Sequence, residues 1–244
     1  MQSIQGAMMA YQGAGGAEYH FDIAAKTIGL AFLLDGVDGR IACATNTASD
    51  FGREIDSFAD VINFGIAPAV LAFTWGVQFT GADLNADLHH HILSAGWFVA
   101  FMFLLCSLGR HARFLVQKSA ASKNPSGPGR KYFAGLPIPA AAGMVAAVVH
   151  AWDSAPLTSW WLTVGLLALL VLLSLLMVST WRYYSFRDVN LMRPWAPILA
   201  GSLIYLIWNY SRPVLVTCAA GYMLSGIAVR LTGVIRRGTP PPAL

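Results

Sequence analysis

Six long stretches without a single Asp, Glu, Lys or Arg constrain this chain more than any other feature of its sequence. They cover residues 61–82, 92–109, 132–152, 154–181, 194–211 and 213–229. A helix of about 20 apolar residues spans the hydrocarbon core of a bilayer. A buried helix in a soluble protein would explain one such stretch, but not six in series. The sequence therefore predicts an all-α fold, a polytopic membrane helical bundle.

The composition is typical of a membrane protein, and the sequence shows no sign of a disulfide framework, a cysteine metal site or a cleaved signal peptide. Of 244 residues, 56% are hydrophobic and only 11% are charged. In soluble domains, about a quarter of all residues are charged. The three cysteines, Cys43, Cys106 and Cys218, are far apart and match neither a disulfide framework nor a metal-ligand spacing. Residues 1–16 lack the basic start and compact apolar core of a cleaved signal peptide.

The charges are distributed as in a membrane protein rather than a nucleic-acid-binding protein, although the net charge is +4. Lysines and arginines concentrate in residues 110–131, 182–193 and 236–237, whereas the connections at about 80–91 and 151–157 contain none. This alternation follows the positive-inside rule, which places the basic connections in the cytoplasm, facing anionic lipid head groups.

The apolar stretches and their flanks predict seven or eight transmembrane helices in one membrane-embedded domain over residues 1–238. Seven spans are predicted at about 23–45, 53–78, 92–117, 136–152, 158–181, 195–210 and 213–235. A weak first span within 4–17 is too short to cross alone, and we interpret it as the tail of a span that begins before this chain. Residues 239–244 include three consecutive prolines, which cannot continue a helix, and are expected to form a disordered tail.

Four aspartates near the start of the chain carry the strongest chemical signal. Asp35 and Asp38 are three residues apart, and Asp56 and Asp60 are four apart, so each pair shares one face of a helix. A short polar turn at 45–49 joins the two helices, which predicts that they are antiparallel neighbours. Four such carboxylates repel one another and are costly to desolvate unless they are protonated or cations bind between them. Oxygen-only ligands suit Mg²⁺ or Mn²⁺, and two such ions can hold a diphosphate.

A structural explanation competes with this metal site. Each aspartate could cap a helix or pair with Arg40 or Arg53, which explains one aspartate well and four poorly. Gly39 and Gly52 favour the site, because they remove side chains where a nucleotide would approach the backbone.

The aspartates and glycines together resemble the signature of the CDP-alcohol phosphotransferase family, D-x2-D-G-x2-A-R-x8-G-x3-D-x3-D. The matching positions are Asp35, Asp38, Gly39, Ala42, Gly52, Asp56 and Asp60. The family's arginine position holds Cys43. Further stretches resemble the bacterial phosphatidylserine synthase subgroup, and the resemblance covers about residues 18–190, with the best segments at 50–68, 109–117, 131–143 and 176–186.

The resemblance implies a reaction and a set of roles. The four aspartates would bind Mg²⁺ or Mn²⁺, and Asp60 would also act as the general base. Gly39, Ala42 and Gly52, with Arg40 and Arg53 nearby, would bind CDP-diacylglycerol. The hydroxyl of serine would attack the lipid-side phosphorus, giving phosphatidylserine and CMP. The resemblance also implies a homodimer in the bacterial cytoplasmic (inner) membrane, with its active site facing the cytoplasm.

Three basic residues are predicted to bind the acceptor or a phosphate, namely Arg110, Arg113 and Lys131. Arg110 and Arg113 lie three residues apart at the end of a predicted span, and Lys131 begins the return of the chain to the same side. The alternative is that the arginines snorkel to the membrane surface and anchor the helix.

Other functions stay open on the sequence alone. The same chemistry could use glycerol phosphate, inositol phosphate or choline as acceptor, because the motif concerns only the donor. Cys43 cannot offer the two-pronged donor of an arginine, so a weakly active or inactive relative is a second alternative. A cation transporter is a third, since intramembrane carboxylates often line ion paths, although the glycine spacing argues against it.

Overall fold

The computed structural model describes residues 8–9, 11, 19–44, 50–81, 85–123, 132–153, 155–184 and 196–237. Seven α-helices lie within them, and the bounds are α1 Tyr19–Ala44, α2 Asp50–Val61, α3 Ala67–Gly76, α4 Ala86–Lys123, α5 Ile138–Ala151, α6 Trp160–Val178 and α7 Ala196–Arg237. A π-helical segment, Ile62–Ile66, joins α2 to α3. Two short strands, β1 Tyr132–Ala134 and β2 Arg182–Tyr184, complete the described structure.

The helices coincide with the predicted spans and confirm the helical membrane fold. Within the described residues, three segments are long and apolar enough to cross a bilayer, namely Glu54–Gly76, Ala86–Val116 and Trp160–Val178, and α5 is apolar but shorter. The last two predicted spans correspond to two helical segments within α7, which meet at the non-helical residue Tyr210 (φ −135°, ψ 47°). Pro213 follows the kink and has no N–H to donate to the preceding turn.

Both ends of the chain lie mostly outside the described residues. Of the weak first span predicted within 4–17, the structure describes Met8, Met9 and Tyr11, all helical. The predicted disordered tail at 239–244 lies beyond the last described residue. These two predictions therefore stay predictions.

Small residues let α1 and α5 approach each other closely. α1 buries Ala24, Ala25 and Ala31, and α5 buries the alanine pairs at 141–142 and 146–147. Small side chains are typical of membrane helix interfaces, where van der Waals packing rather than the hydrophobic effect holds helices together. α5 also packs on α7, and α4 packs on α6.

Two close contacts show that α4 runs antiparallel to the segment formed by the π-helical turn and α3. A Cβ atom on Gly65 would lie 2.7 Å from Ser107 Oγ, and one on Gly96 would lie 2.5 Å from Val77 Cγ1. The bundle thus has an aspartate end, which carries Asp35, Asp60 and the last turns of α4. The other end carries the α3–α4 and α5–α6 connections and is here named the opposite end.

Hydroxyl groups tie the connections together at the opposite end. Thr80 Oγ1 lies 2.5 Å from Thr163 Oγ1 and donates to the carbonyl of Leu157 at 3.2 Å. The amide of Leu157 donates in turn to the carbonyl of Trp75 at 3.1 Å. The turn after α3 is therefore bonded both to the start of α6 and to the loop before it.

A two-stranded antiparallel ribbon closes the aspartate end of the α5–α6 hairpin. β1 pairs with β2, and the amide of Gly135 donates to the carbonyl of Trp181 at 2.8 Å. Tyr183 of β2 is fully buried, and its hydroxyl donates to the carbonyl of Met223 in α7 at 3.4 Å. Burial raises the pKa of Tyr183, which keeps this hydroxyl protonated as a donor. The all-α prediction did not include this ribbon.

Candidate functional site

Asp35 and Asp38 lie on the second half of α1, where the predicted helical spacing holds. The helix continues to Ala44, so residues three apart share a face. Asp35 is half-buried. The remaining predicted residues of this helix, Asp38, Gly39, Arg40, Ala42 and Cys43, have side chains outside the described part of the structure.

Asp56 and Asp60 lie one turn apart on α2, as predicted. Asp56 is exposed, and Asp60 is half-buried just before the π-helical segment. A π-helical turn is rare and occurs frequently at functional sites. Gly52 is exposed on the first turn of the same helix, and the side chain of Arg53 is not described.

The four-carboxylate centre stays a prediction. Among the described residues, no three His, Cys, Asp or Glu side chains are grouped closely enough to hold a metal ion. That search does not include the Asp38 side chain, and the predicted turn at 45–49 also lies outside the described residues. The donor chemistry fits the predicted ions, because all four side chains offer only carboxylate oxygens, which Mg²⁺ and Mn²⁺ prefer.

The helix that carries Asp56 and Asp60 meets the basic end of α4. The Gly65–Ser107 contact holds the π-helical segment on α4, and Arg110 and His111 follow Ser107 within about one helical turn. Arg110 and His111 are buried, with 7% and 8% of their surfaces exposed. The negative charge of Asp56 interacts with the His111 ring. We name this meeting line of the π-helical segment and residues 107–111 the α4 seam.

Arg110 and Arg113, which the sequence treats alike, have different environments. The Nε atom of Arg110 is buried and has no hydrogen-bond partner among the described residues. Its guanidinium carbon lies 5.6 Å from the centre of the Phe114 ring, and its charge interacts with Tyr222. Arg113 instead donates from Nη1 to the carbonyl of Val178, the last residue of α6, at 3.4 Å. Arg113 therefore stabilises a helix end, whereas Arg110 has a free donor in a buried place.

Two residues of the α4 seam were not among the predicted site residues. Within the part of the chain that the structure describes, Asn63 Oδ1 and His111 Nε2 are buried without a hydrogen-bond partner, like Arg110 Nε. Buried polar atoms without partners are uncommon and call for a water, ion or ligand. In the sequence, Asn63 and His111 could have been recognised as polar residues inside predicted apolar spans. Lys131, also predicted here, lies outside the described residues.

A cavity of about 250 Å³ lies at the opposite end of the bundle and differs in character from the seam. Its lining is apolar and includes Trp75, Val148, Trp152 and Trp161. Among the described residues that line it, none has a carboxylate or basic side chain, and its apolar lining does not suit the predicted chemistry.

Comparison with known proteins identifies the family. The family model for CDP-alcohol phosphatidyltransferase matches residues 3–176, which include both aspartate pairs and the α4 seam. The chain belongs to the CDP-alcohol phosphatidyltransferase family. Membership confirms the resemblance seen in the signature, with Cys43 at the arginine position as a feature of this member.

Several relatives of this chain carry the name CDP-diacylglycerol–serine O-phosphatidyltransferase. The relative from Helicobacter pylori is 35% identical over 174 residues, which are 71% of this chain and 65% of the relative. The one from Methanocaldococcus jannaschii is 30% identical over 204 residues, or 84% of this chain and 82% of the relative. The one from Saccharomyces cerevisiae is 38% identical over 121 residues, or 50% and 39%. The matched region thus spans less than two thirds of the Helicobacter and yeast proteins.

Proposed function

We propose that this protein transfers a phosphatidyl group from CDP-diacylglycerol to L-serine, giving phosphatidylserine and CMP. Family membership supports the transfer from a CDP-activated lipid. The names of the relatives support serine as the acceptor. The observation that carries the proposal is the α4 seam, where the helix of Asp56 and Asp60 meets a buried arginine with an unpaired donor.

Asp35, Asp38, Asp56 and Asp60 would hold Mg²⁺ or Mn²⁺ in this proposal. Such ions neutralise a diphosphate and stabilise the charge that develops on a leaving phosphate oxygen. The half-burial of Asp35 and Asp60 suits this role, because a partly desolvated carboxylate near the membrane is costly without a bound cation.

Asp60 acts as the general base for the acceptor. An alcohol is a poor nucleophile until a positioned base takes its proton. The serine oxygen forms a bond to the lipid-side phosphorus, its proton passes to the Asp60 carboxylate, and the bond from that phosphorus to the CMP oxygen breaks. Asp60 lies beside the α4 seam, so an acceptor held in the seam is within the same region as the base.

Arg110 binds the carboxylate of the acceptor serine. Its buried Nε lacks a partner among the described side chains, and arginine is suited to a paired hydrogen bond with a carboxylate. His111 and Asn63 supply further polar atoms in the seam, and Lys131 is retained as a binder of acceptor or phosphate. Arg113 donates to the end of α6 instead, so the acceptor is assigned to Arg110 and not to Arg113.

The donor side of the site uses the first two helices. Gly39, Ala42 and Gly52 would leave room for the cytidine nucleotide, and Arg40 and Arg53 would contact its phosphates. Cys43 leaves one charged hydrogen bond unmade, which weakens donor binding by about 1.5–3 kcal/mol.

The proposal includes a place in the cell. The basic residues at 110–131 and 182–193 face the cytoplasm by the positive-inside rule, so the active site opens to the cytoplasmic side of the bacterial inner membrane. The protein acts within the lipid bilayer as a homodimer.

An acceptor assay tests the proposal. The purified chain in lipid is incubated with CDP-diacylglycerol, Mg²⁺ or Mn²⁺, and one alcohol at a time, and CMP release and the lipid product are measured. We expect serine-dependent CMP release and phosphatidylserine. Product formed only with glycerol phosphate, inositol phosphate or choline would exclude serine, and no CMP with any alcohol would exclude the transferase activity.

A further inference from the structure

Three side chains from three helices meet at the opposite end of the bundle, far from Asp35 and Asp60. Asp22 lies in the first turn of α1, His150 in the last turn of α5, and Ser211 at the kink of α7. His150 Nδ1 lies 2.6 Å from Asp22 Oδ1, and His150 Nε2 lies 2.9 Å from Ser211 Oγ. Thirteen residues of α1 separate Asp22 from Asp35, which corresponds to about 20 Å along a helix.

The bonding pattern assigns a role to each atom of this cluster. A carboxylate only accepts hydrogen bonds, so His150 donates its Nδ1–H to Asp22. In the neutral ring, Nε2 then has a lone pair and accepts the hydroxyl proton of Ser211. A nucleophile bonded to a base, with the base oriented by a third group, is the arrangement that activates serine hydroxyls.

The surroundings hold the cluster in place and leave the serine reachable. The His150 side chain is 12% exposed and that of Asp22 is 29% exposed. Lys26 pairs with the other oxygen of Asp22 at 2.5 Å, so Oδ1 stays available to His150. Ser211 is only half-buried.

Ser211 differs from other hydroxyls described on its own helix. Thr217 donates to the carbonyl of Pro213, and Ser225 donates to that of Tyr222, which is the ordinary bond of a helical hydroxyl. The non-helical residue Tyr210 immediately precedes Ser211. The kink thus coincides with the point where the hydroxyl bonds to a histidine instead of its own helix.

We propose that Asp22, His150 and Ser211 form a second catalytic site, with Ser211 as a nucleophile toward carboxylic esters of amphiphiles. The substrate class follows from the place of the cluster. The neighbouring side chains of Trp152 and Tyr210 are exposed, as aromatic residues at a membrane–water boundary are. Arg212, which pairs with Asp153, adds charged groups beside the serine. An ester with an apolar chain and a polar head suits such a boundary.

The reaction has two steps. Ser211 Oγ forms a bond to the carbonyl carbon while its proton passes to His150 Nε2. The bond from that carbon to the alkoxy oxygen breaks, and the alcohol leaves with the proton from His150. Water then attacks the acyl-serine, gives its proton to His150, and releases a carboxylic acid while Ser211 regains its proton.

Labelling with a fluorescent fluorophosphonate tests the proposal on the full chain in lipid, with mass spectrometry to identify the labelled residue. We expect a label on Ser211, none in Ser211→Ala, and labelling about 100-fold slower in His150→Gln, since a general base contributes about 10²–10⁴-fold. Ser225→Ala is the matched control on the same helix and should label like the unsubstituted protein.

Two further measurements separate this site from a structural clamp and from the transferase. Hydrolysis of a p-nitrophenyl ester should fall in Ser211→Ala and stay unchanged in Asp60→Asn. CMP release should stay unchanged in Ser211→Ala and fall in Asp60→Asn. CMP release by Ser211→Ala also shows that this variant is folded. If Ser211→Ala does not fold, Asp22→Asn is used in its place, and labelling of Ser211 should be slower in that variant. A Ser211 that is unlabelled, or labelled equally fast in His150→Gln, overturns the proposal.

Discussion

Gly65 lies so close to Ser107 that a methyl group at position 65 would be 2.7 Å from the serine Oγ. That hydroxyl is itself tied to the carbonyl of Leu104 at 2.7 Å. The contact holds the π-helical segment, which begins two residues after Asp60, on the part of α4 that precedes Arg110. The missing side chain of Gly65 thus lets the two elements of the α4 seam approach each other.

Gly65→Ala is expected to destabilise the protein by about 1–3 kcal/mol, because overpacking a tight contact forces neighbours apart. Thermal unfolding in detergent measures the effect, and CMP release should fall with it. Gly221→Ala is the control, since a Cβ there meets nothing within 4 Å. Equal melting temperatures for the two variants would show that α4 moves away at Ser107 without loss of stability.

Asp60→Asn should lower CMP release by at least about 100-fold, because an amide cannot take the proton of the acceptor hydroxyl. Asp87→Asn makes the same chemical change on an exposed residue in the first turn of α4, at the opposite end, and should leave activity unchanged. Substantial activity in Asp60→Asn would remove the general-base role from this residue.

Arg110→Gln and Arg113→Gln should separate the two arginines that the sequence treats alike. Loss of Arg110 is expected to raise the KM for serine by tenfold or more, since a charged hydrogen bond contributes about 1.5–3 kcal/mol. Loss of Arg113 should leave that KM near its original value and lower thermal stability slightly, because it removes a bond to the end of α6. Steady-state kinetics and a melting curve measure both effects. The opposite pattern would place the acceptor at Arg113.

Cys43→Arg should raise activity at limiting CDP-diacylglycerol by about tenfold or more, because it restores a two-pronged donor for phosphate. Cys43→Lys restores the charge but not the paired geometry, and a smaller gain is expected. The measurement is kcat/KM for the CDP-lipid. Unchanged or lower activity in Cys43→Arg counts against the assigned role of this position.

Gly135→Ala should be more destabilising than an ordinary surface change, by about 2 kcal/mol or more. Gly135 has a φ of +84°, and its added Cβ would collide with the carbonyl oxygens of Met177 and Ser179. Gly143→Ala in α5 provides the control, because its Cβ would meet nothing within 4 Å. A melting temperature equal to that of Gly143→Ala would mean that the β1–α5 connection adapts.

The helices could be predicted from the sequence because their apolar stretches are uninterrupted by charge. The boundary between the last two predicted spans was also predicted. The spans predicted at 195–210 and 213–235 leave a break at 211–212, and the structure interrupts α7 at the adjacent non-helical residue Tyr210. A proline removes one helical bond and bends a helix, and sequence alone does not tell a bend from an end.

The candidate site was only partly accessible from the sequence. Spacing was enough to place Asp56 and Asp60 on one face, since helical periodicity is a local property. The distinction between Arg110 and Arg113 depends on Val178, which is far along the chain and comes near only on folding. The unpaired atoms of Asn63 and His111 were missed for the same reason, because burial depends on neighbours from other helices.

The ribbon of β1 and β2 makes the segment from Tyr132 to Tyr184 a loop that is closed on itself. Further backbone bonds continue the closure, from Gly135 to Trp181 and from Leu136 to Leu176. The ribbon therefore joins two helices that pack mainly on other partners, α5 on α1 and α7 and α6 on α4. A cut in the backbone between these two helices would leave both pieces attached, since the strands hold them together at the far side.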